Sequence, residues 1–192
     1  MSAVTATDDV QAAVLQALTA VEDPEMPVSI VDLGMVRRVT VSGGAAIVQL
    51  APTFLACPAR WLVEAEVKQS VTRVPNVTEC DVVWLQGGWS GADVTEAGRR
   101  ALAGAGLAVP GVDGTVACPF CGSRDASGTA SFGSAVCRSA AFCPACRTPF
   151  EVLKVKRAAG QTAPQPDALR AGRRLSAAPP SAAAWMPSMK RR

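Results

Sequence analysis

Apolar residues at Val10, Val14, Leu18 and Val21 recur at the spacing of one helical face and predict an amphipathic helix over 8–21. Thr7 is the expected N-cap, and Asp8 and Asp9 suit a first turn, where their charge meets unpaired backbone N–H groups. Two prolines and three acids in Glu22-Asp23-Pro24-Glu25-Met26-Pro27 break that helix, and a loop is expected through Asp32-Leu33-Gly34. The period then changes to two over 35–41, Gly43-Gly44 supplies the positive φ of a tight turn, and alternation resumes over 45–50, which reads as a β-hairpin. Helical spacing returns over 58–71, with Leu62, Ala65 and Val67 on the apolar side and Pro75-Asn76 as the stop. Residues 77–85 read as a third strand, and Thr95 caps a short helix that runs to Gly104.

The order helix, strand, strand, helix, strand predicts an α+β fold, a small α/β sandwich with its helices on one face of the sheet. That first domain is expected over 8–104. A motif-poor linker at 105–115 leads to a small cysteine-rich module at 116–156, and the remainder, 157–192, is rich in Ala, Pro and Ser without periodicity, so it is expected to be disordered.

The cysteines decide what the small module is. Five of the seven lie between 118 and 146, as Cys118-Pro-Phe-Cys121, Cys137 and Cys143-Pro-Ala-Cys146, with 21 residues between the two Cys-x-x-Cys knuckles. Each knuckle bends tightly enough for two sulfurs to face one ion, so Cys118, Cys121, Cys143 and Cys146 are expected to form a closed structural zinc site; iron would use the same cage. A glutaredoxin-like reading of Cys118-Pro-Phe-Cys121 needs a preceding buried strand, whereas Val109-Pro110-Gly111-Val112-Asp113-Gly114 reads as linker. So small a module takes much of its stability from metal. Cys137 is expected to be a packed thiol.

Charge and composition narrow the function. The net charge of +3 hides a split, since residues before Arg157 carry 12 Lys and Arg against 15 Asp and Glu, and the tail holds +6. A net-acidic body without tyrosine is a poor surface for tracking phosphates and stacking bases, so nucleic-acid binding is not expected, although the basic tail leaves it as a rival reading. The absence of histidine excludes Cys-His and Ser-His nucleophilic pairs and every His-ligated metal site. No apolar run reaches the roughly 18 residues of a membrane span, and cysteines in knuckle spacing suit a reducing compartment. A soluble cytoplasmic protein without a membrane partner is the expectation.

In the first domain Cys57 is the candidate for chemistry. Pro58 places it near the expected helix N-terminus, where N–H groups and the positive end of the helix dipole would lower its pKa and make it a better ligand or nucleophile. A lone cysteine also occurs as a small buried hydrophobe. Thr53 could add a hydroxyl, and Asp23, Glu25 and Asp32 could line a site facing Cys57 or serve as ordinary turn residues. Cys80, Trp84 and Trp89 read as packing residues.

The run Asp23-Pro24-Glu25-Met26-Pro27-Val28-Ser29-Ile30-Val31-Asp32-Leu33-Gly34, with Pro52-Thr53 and Cys57-Pro58-Ala59, resembles the metal-sulfur cluster assembly-factor domain of SufT-type proteins. Trp89, the segment Thr95-Glu96-Ala97-Gly98-Arg99-Arg100-Ala101-Leu102, and the knuckles with Phe132-Gly133-Ser134-Ala135-Val136-Cys137 and Pro149-Phe150 narrow the resemblance to the PaaD family, accessory subunits of the phenylacetyl-CoA epoxidase system. The likeness spans about 8–156. It differs in a less polar loop before Cys57 (Ala51, Phe54, Leu55, Ala56), in Gln86-Gly87-Gly88 before Trp89, and in Asp93, where a second Trp is usual.

The resemblance implies an accessory subunit without turnover of its own, in phenylacetate catabolism, acting beside di-iron oxygenase and iron-sulfur flavin reductase subunits. It also implies that Cys57, with Thr53 and Asp32 nearby, carries iron or a transient iron-sulfur cluster, while the zinc ribbon organises docking. One thiolate cannot hold a cluster, so a homodimer pairing two Cys57 residues or ligands from a client would complete it. The alternatives are a general iron-sulfur carrier serving several clients and a paralogue serving a related aromatic oxygenase.

Overall fold

The computed structural model describes residues 3–155. The basic tail at 157–192 lies outside the described residues.

Helix α1 spans Ala3–Leu18 and buries Val14 and Leu18 completely. It starts four residues earlier than its expected cap, so Thr7 lies inside the helix instead of at its N-terminus. After it, β1 (Glu22–Asp23) and β2 (Met26–Ser29) pair as a small antiparallel ribbon in the segment expected to be loop. Two prolines do not prevent this, because Asp23 Oδ1 accepts the Glu25 N–H at 2.9 Å and closes the turn between the strands. Met26, Val28, Ile30 and Leu33 are all buried in the main core, so a stretch that reads as too acidic to pack contributes much of it.

The main sheet is β3 (Val36–Ser42), β4 (Ala45–Leu50) and β5 (Glu79–Trp84), in that spatial order. The β3–β4 hairpin turns at Gly43-Gly44 as expected, with φ of +57° and +84°. The parallel pairing of β4 with β5 requires a crossover, which α2 (Arg60–Val71) provides. Alternation sends Val39 and Val41 of β3, Ala46, Val48 and Leu50 of β4 and Cys80 of β5 inward, so Cys80 is core as expected. Helix α2 buries Val63, Val67 and Val71, one apolar residue per turn, whereas Leu62 and Ala65 face outward. Trp84 closes the helix–sheet junction: its Nε1 donates to Glu64 at 3.2 Å, and the Arg60 guanidinium lies 4.5 Å from its ring centroid.

Helix α3 (Glu96–Gly104) is capped as expected, the Thr95 hydroxyl accepting the Gly98 N–H at 3.0 Å. The expected linker then turns out to contain strand β6 (Leu107–Ala108), which runs parallel to β9 at the edge of a second sheet. That sheet is ordered β6-β9-β8-β7, with β7 at Ser127–Ala130, β8 at Arg138–Cys143 and β9 at Thr148–Leu153. Leu107 and Leu153 are buried in the same core as Trp89 and Leu102, so apolar burial joins the ribbon to the first sheet.

Gly34 fixes a second long-range junction. It has a φ of +68°, and a Cβ there would fall 2.2 Å from the Asp93 carbonyl oxygen, so only glycine lets the two loops touch. Beside it Arg37 makes a bidentate pair with Asp93, at 3.0 and 2.8 Å. That pair holds the Asp93 carboxyl at about 2, below its ordinary value of 3.8, with help from the Ser90 N–H. A depressed carboxylate contributes stability that is complete above the unfolded value and fades as pH falls toward the folded one. Both side chains are about a quarter exposed, so solvent screening limits the contribution to about 1 kcal/mol. The difference in urea midpoint between wild type and Asp93→Asn is therefore expected at pH 6 and should shrink steadily below pH 4; an undiminished gap at pH 2.5 would assign it to another cause.

Candidate functional site

The four knuckle cysteines converge. Cys143 ends β8, Cys146 sits in the turn to β9, and Cys118 and Cys121 lie on the loop after β6, where the Cys118 N–H donates to the Ser123 carbonyl at 2.8 Å and the Gly122 N–H to the Cys118 carbonyl at 2.9 Å. The residue after each knuckle, Gly122 (φ +75°) or Arg147 (φ +59°), takes the left-handed conformation that turns the backbone around the sulfurs. All four Sγ atoms lie within 4.8 Å of one another, with Cys118–Cys146 at 3.7 Å and Cys121–Cys143 at 3.6 Å. Thiolates at zinc's usual bond length of about 2.3 Å stand about 3.8 Å apart across a tetrahedron, so the cage has the dimensions of a four-thiolate metal site. Cys118 and Cys143 are buried, and Cys121 is exposed at the rim. The fifth cysteine of this segment, Cys137, takes no part in the cage and is buried, the packed thiol expected of it.

Cys57 lies elsewhere, on the irregular segment between β4 and α2. Helix α2 starts at Arg60 with Ala59 as N-cap, so Cys57 stands two residues outside the cap and Pro58 is not the first helical residue, contrary to the sequence expectation. The backbone instead turns at Phe54, whose carbonyl accepts the Cys57 N–H at 3.1 Å. The electrostatics reverse as well. Burial pushes the half-buried Cys57 thiol above its ordinary value, and the charges of Glu25 and Asp23 push the same way, against an Ala59 N–H bond and Arg60. Cys57 is thus a neutral thiol at neutral pH rather than an activated nucleophile, and a cation must displace its proton to bind.

Two of the three candidate acids, Asp23 and Glu25 on the β1–β2 ribbon, act on Cys57 through their charge. Asp32 is used differently: its carboxylate accepts the Ser29 hydroxyl at 3.0 Å and the Thr95 hydroxyl at 2.6 Å, and its carbonyl accepts the Thr95 N–H, which ties the loop to the start of α3. Thr53 lines a mainly apolar cleft with Pro52, Phe54, Leu55, Trp89 and Val155, so the Cys57 loop and the end of β9 share one opening. Trp61 on the first turn of α2 is two-thirds exposed. Sequence reasoning missed Arg138, whose guanidinium reaches the Glu25 carbonyl and pairs with Glu151 at 2.9 Å; no local pattern distinguishes that arginine from a solvated one.

Two family models match the chain, the iron-sulfur cluster assembly protein model over residues 11–82 and the PaaD zinc beta ribbon domain over 105–154. Over 145 residues the chain is 31% identical to a protein of Escherichia coli K12 named as a component of 1,2-phenylacetyl-CoA epoxidase, a match covering 71% of this chain and 88% of that one. The chain belongs to the PaaD family. It is also 36% identical over 92 residues to an iron-sulfur cluster carrier protein of Deinococcus radiodurans, a match that covers 48% of this chain and 25% of the carrier. A solved domain from Bacillus anthracis, known as DUF59, superposes with a TM-score of 0.50 at 28% identity, covering 52% of this PaaD-family chain and 96% of the domain. The α/β half and the ribbon are therefore two known modules carried on one chain, and among the described residues no helix is long and apolar enough to cross a membrane.

Proposed function

We propose that this PaaD-family protein is an accessory maturation subunit of a ring-epoxidising phenylacetyl-CoA monooxygenase, helping iron or an iron-sulfur cluster into the oxygenase and reductase subunits. The observation that carries the reading is the union in one chain of an assembly-factor fold, whose Cys57 is half-buried, with a PaaD-type ribbon. Cys118, Cys121, Cys143 and Cys146 would hold zinc, which cross-links the ribbon and supplies no reactivity, since four thiolates leave no open position. Cys57 is the group that meets the cargo. Its thiol gives up its proton only to an incoming cation, so a free chain is not left with a reactive thiolate. Thr53 offers a hydroxyl to the lining of the cleft, and Asp32 ties the end of β2 to the start of α3 through Ser29 and Thr95.

In a strain whose own copy is replaced by Cys57→Ser, the oxygenase subunits are expected at normal abundance but with epoxidase activity reduced at least about tenfold and with subnormal iron, the order of loss seen when a metal-site group is removed. Full iron content and activity would overturn the proposal. The likeness to iron-sulfur carrier proteins supports a second reading, a general carrier. It predicts that unrelated iron-sulfur enzymes in the same strain also lose activity, whereas the dedicated accessory subunit leaves them untouched.

A further inference from the structure

We infer that the cleft beside the Cys57 turn is a docking groove for an acidic segment of a client protein, which inserts an apolar side chain there and offers carboxylates to Arg60 and Lys154. The inference rests on the accessory role above, since the client is one of the oxygenase or reductase subunits. The cleft measures about 220 Å³ and is lined by Pro52, Phe54, Leu55 and Trp89 from the first half and by Lys154 and Val155 at the end of β9. An apolar cavity of roughly 150 Å³ accommodates one benzene-sized group, so this one has room for a single aromatic or branched side chain. Apolar surface continues past the rim. Leu55 is 41% exposed, and Phe132, 72% exposed, has the Lys154 ammonium 4.4 Å from its ring centroid. Large apolar side chains gathered at one opening mark a contact surface, whereas singly scattered ones do not.

The charges around the opening decide what fits it. Residues before Arg157 carry 12 Lys and Arg against 15 Asp and Glu, yet three cations reach the cleft. Arg37 donates to the Gly88 carbonyl and is neutralised by Asp93 at 2.8 Å. Arg60 donates to the Leu55 carbonyl at 3.4 Å and stacks on Trp84, and Lys154 donates to the Val136 carbonyl at 2.8 Å. Among the described residues neither Arg60 nor Lys154 has a carboxylate within ion-pair distance. The acids on their own elements are already engaged, Glu64 by Lys68 at 2.8 Å and by Trp84, and Glu151 by Arg138 at 2.9 Å. Two cations, one from each half of the chain, therefore stand at an apolar opening without a counter-charge, and a complementary partner brings it. The segment after Lys156 carries +6, the same sign as the rim. A phosphate needs several donors converging on one anion, whereas Arg60 and Lys154 stand on different elements and Arg37 is engaged. Phe54 lines the cleft and its carbonyl accepts the Cys57 N–H at 3.1 Å, so a segment seated here lies against the turn that presents Cys57.

The test measures binding of the full, zinc-loaded chain to each purified oxygenase and reductase subunit by fluorescence anisotropy, and to a labelled synthetic peptide of aspartates around one phenylalanine. At least one subunit and the peptide are expected to bind, with affinity that falls as salt is raised. Arg60→Glu combined with Lys154→Glu is expected to weaken both at least about tenfold, Leu55→Asp by about as much, and Arg60→Lys, which keeps the charge, to stay within about threefold of wild type. Zinc content and thermal midpoint check that each variant is folded; should Lys154→Glu fail there, Arg60→Glu and Leu55→Asp decide. Subunit binding that these variants leave within about twofold of wild type would overturn the groove and leave the accessory role standing. Peptide binding lost in the variants, with no subunit bound to wild type, would keep the groove and overturn the accessory role. Binding of neither would overturn both. A dimer in sedimentation equilibrium that the same variants dissolve, or tighter binding of coenzyme A than of any subunit, would overturn the groove in favour of another occupant.

Discussion

Stripping the metal from the cage of Cys118, Cys121, Cys143 and Cys146 with a strong chelator will unfold the ribbon and weaken the α/β half with it. Structural zinc contributes about 10–16 kcal/mol of apparent binding energy in small zinc modules, against a total stability of about 5–15 kcal/mol for a whole domain. The ribbon's own apolar cluster is small, consisting of Ala108, Ala141, Phe150 and Val152 around the cage sulfurs, and cannot replace that contribution. The consequence reaches further because Leu107 and Leu153 leave the ribbon to complete the main core beside Trp89 and Leu102. When the second sheet melts, those two leucines are withdrawn and the main core is exposed to water on that side. The metal-free protein should therefore show a lower thermal midpoint for the α/β half as well as lost β signal in circular dichroism, together with a change in tryptophan fluorescence. Cys143→Ser, which removes a fully buried thiol of the cage, is expected to reproduce the effect. A midpoint and fluorescence unaltered by chelation would mean that the two halves fold independently.

Trp89→Ala is expected to be the most damaging single change in the α/β half. The indole is buried in the main core, and its Nε1 donates to the Leu33 carbonyl at 2.7 Å, so it both fills space and satisfies a backbone group on the loop behind Asp32. Truncating a buried aromatic costs about 3–5 kcal/mol. At about 2–4 °C per kcal/mol for a chain of this size, the thermal midpoint should fall by roughly 6–20 °C. Trp89→Phe separates the two contributions, since it keeps most of the ring but leaves the Leu33 carbonyl without its donor, at about 1–3 kcal/mol. Because Trp89 also lines the cleft next to Thr53, both variants should lose more function than their stability alone explains. Equal losses of stability in Ala and Phe variants would show that the hydrogen bond, not the packing, is what Trp89 provides.

Much of this was legible in the chain. Short-range patterns announced the β3–β4 hairpin through Gly43-Gly44, the cap of α3 through Thr95, and the metal cage through the paired knuckles, because each depends on residues a few positions apart whose geometry is nearly independent of the rest. The order helix, strand, strand, helix, strand of the first half followed from the same local signals, whereas the β1–β2 ribbon and β6 did not, and the family rested on the resemblance of whole motifs.

What the sequence could not fix is everything set by chain closure and burial. The Asp23–Glu25 segment reads as a solvated acidic break, yet its neighbours Met26, Val28 and Ile30 enter the core and Asp23 itself is buried. The helix expected to start beside Cys57 starts three residues beyond it, and the thiol is raised by desolvation where the dipole argument would lower it, a sign that depends on what surrounds the sulfur and not on its neighbours in sequence. Cys137 was legible as a packed thiol, but that its proton points at Glu25 depends on a contact between residues 112 positions apart, which no local period encodes. The sequence by itself determined the four cysteines of the cage, because paired knuckles carry their own geometry; the tertiary structure decided the chemistry of Cys57, because burial and charges distant in sequence act on that thiol.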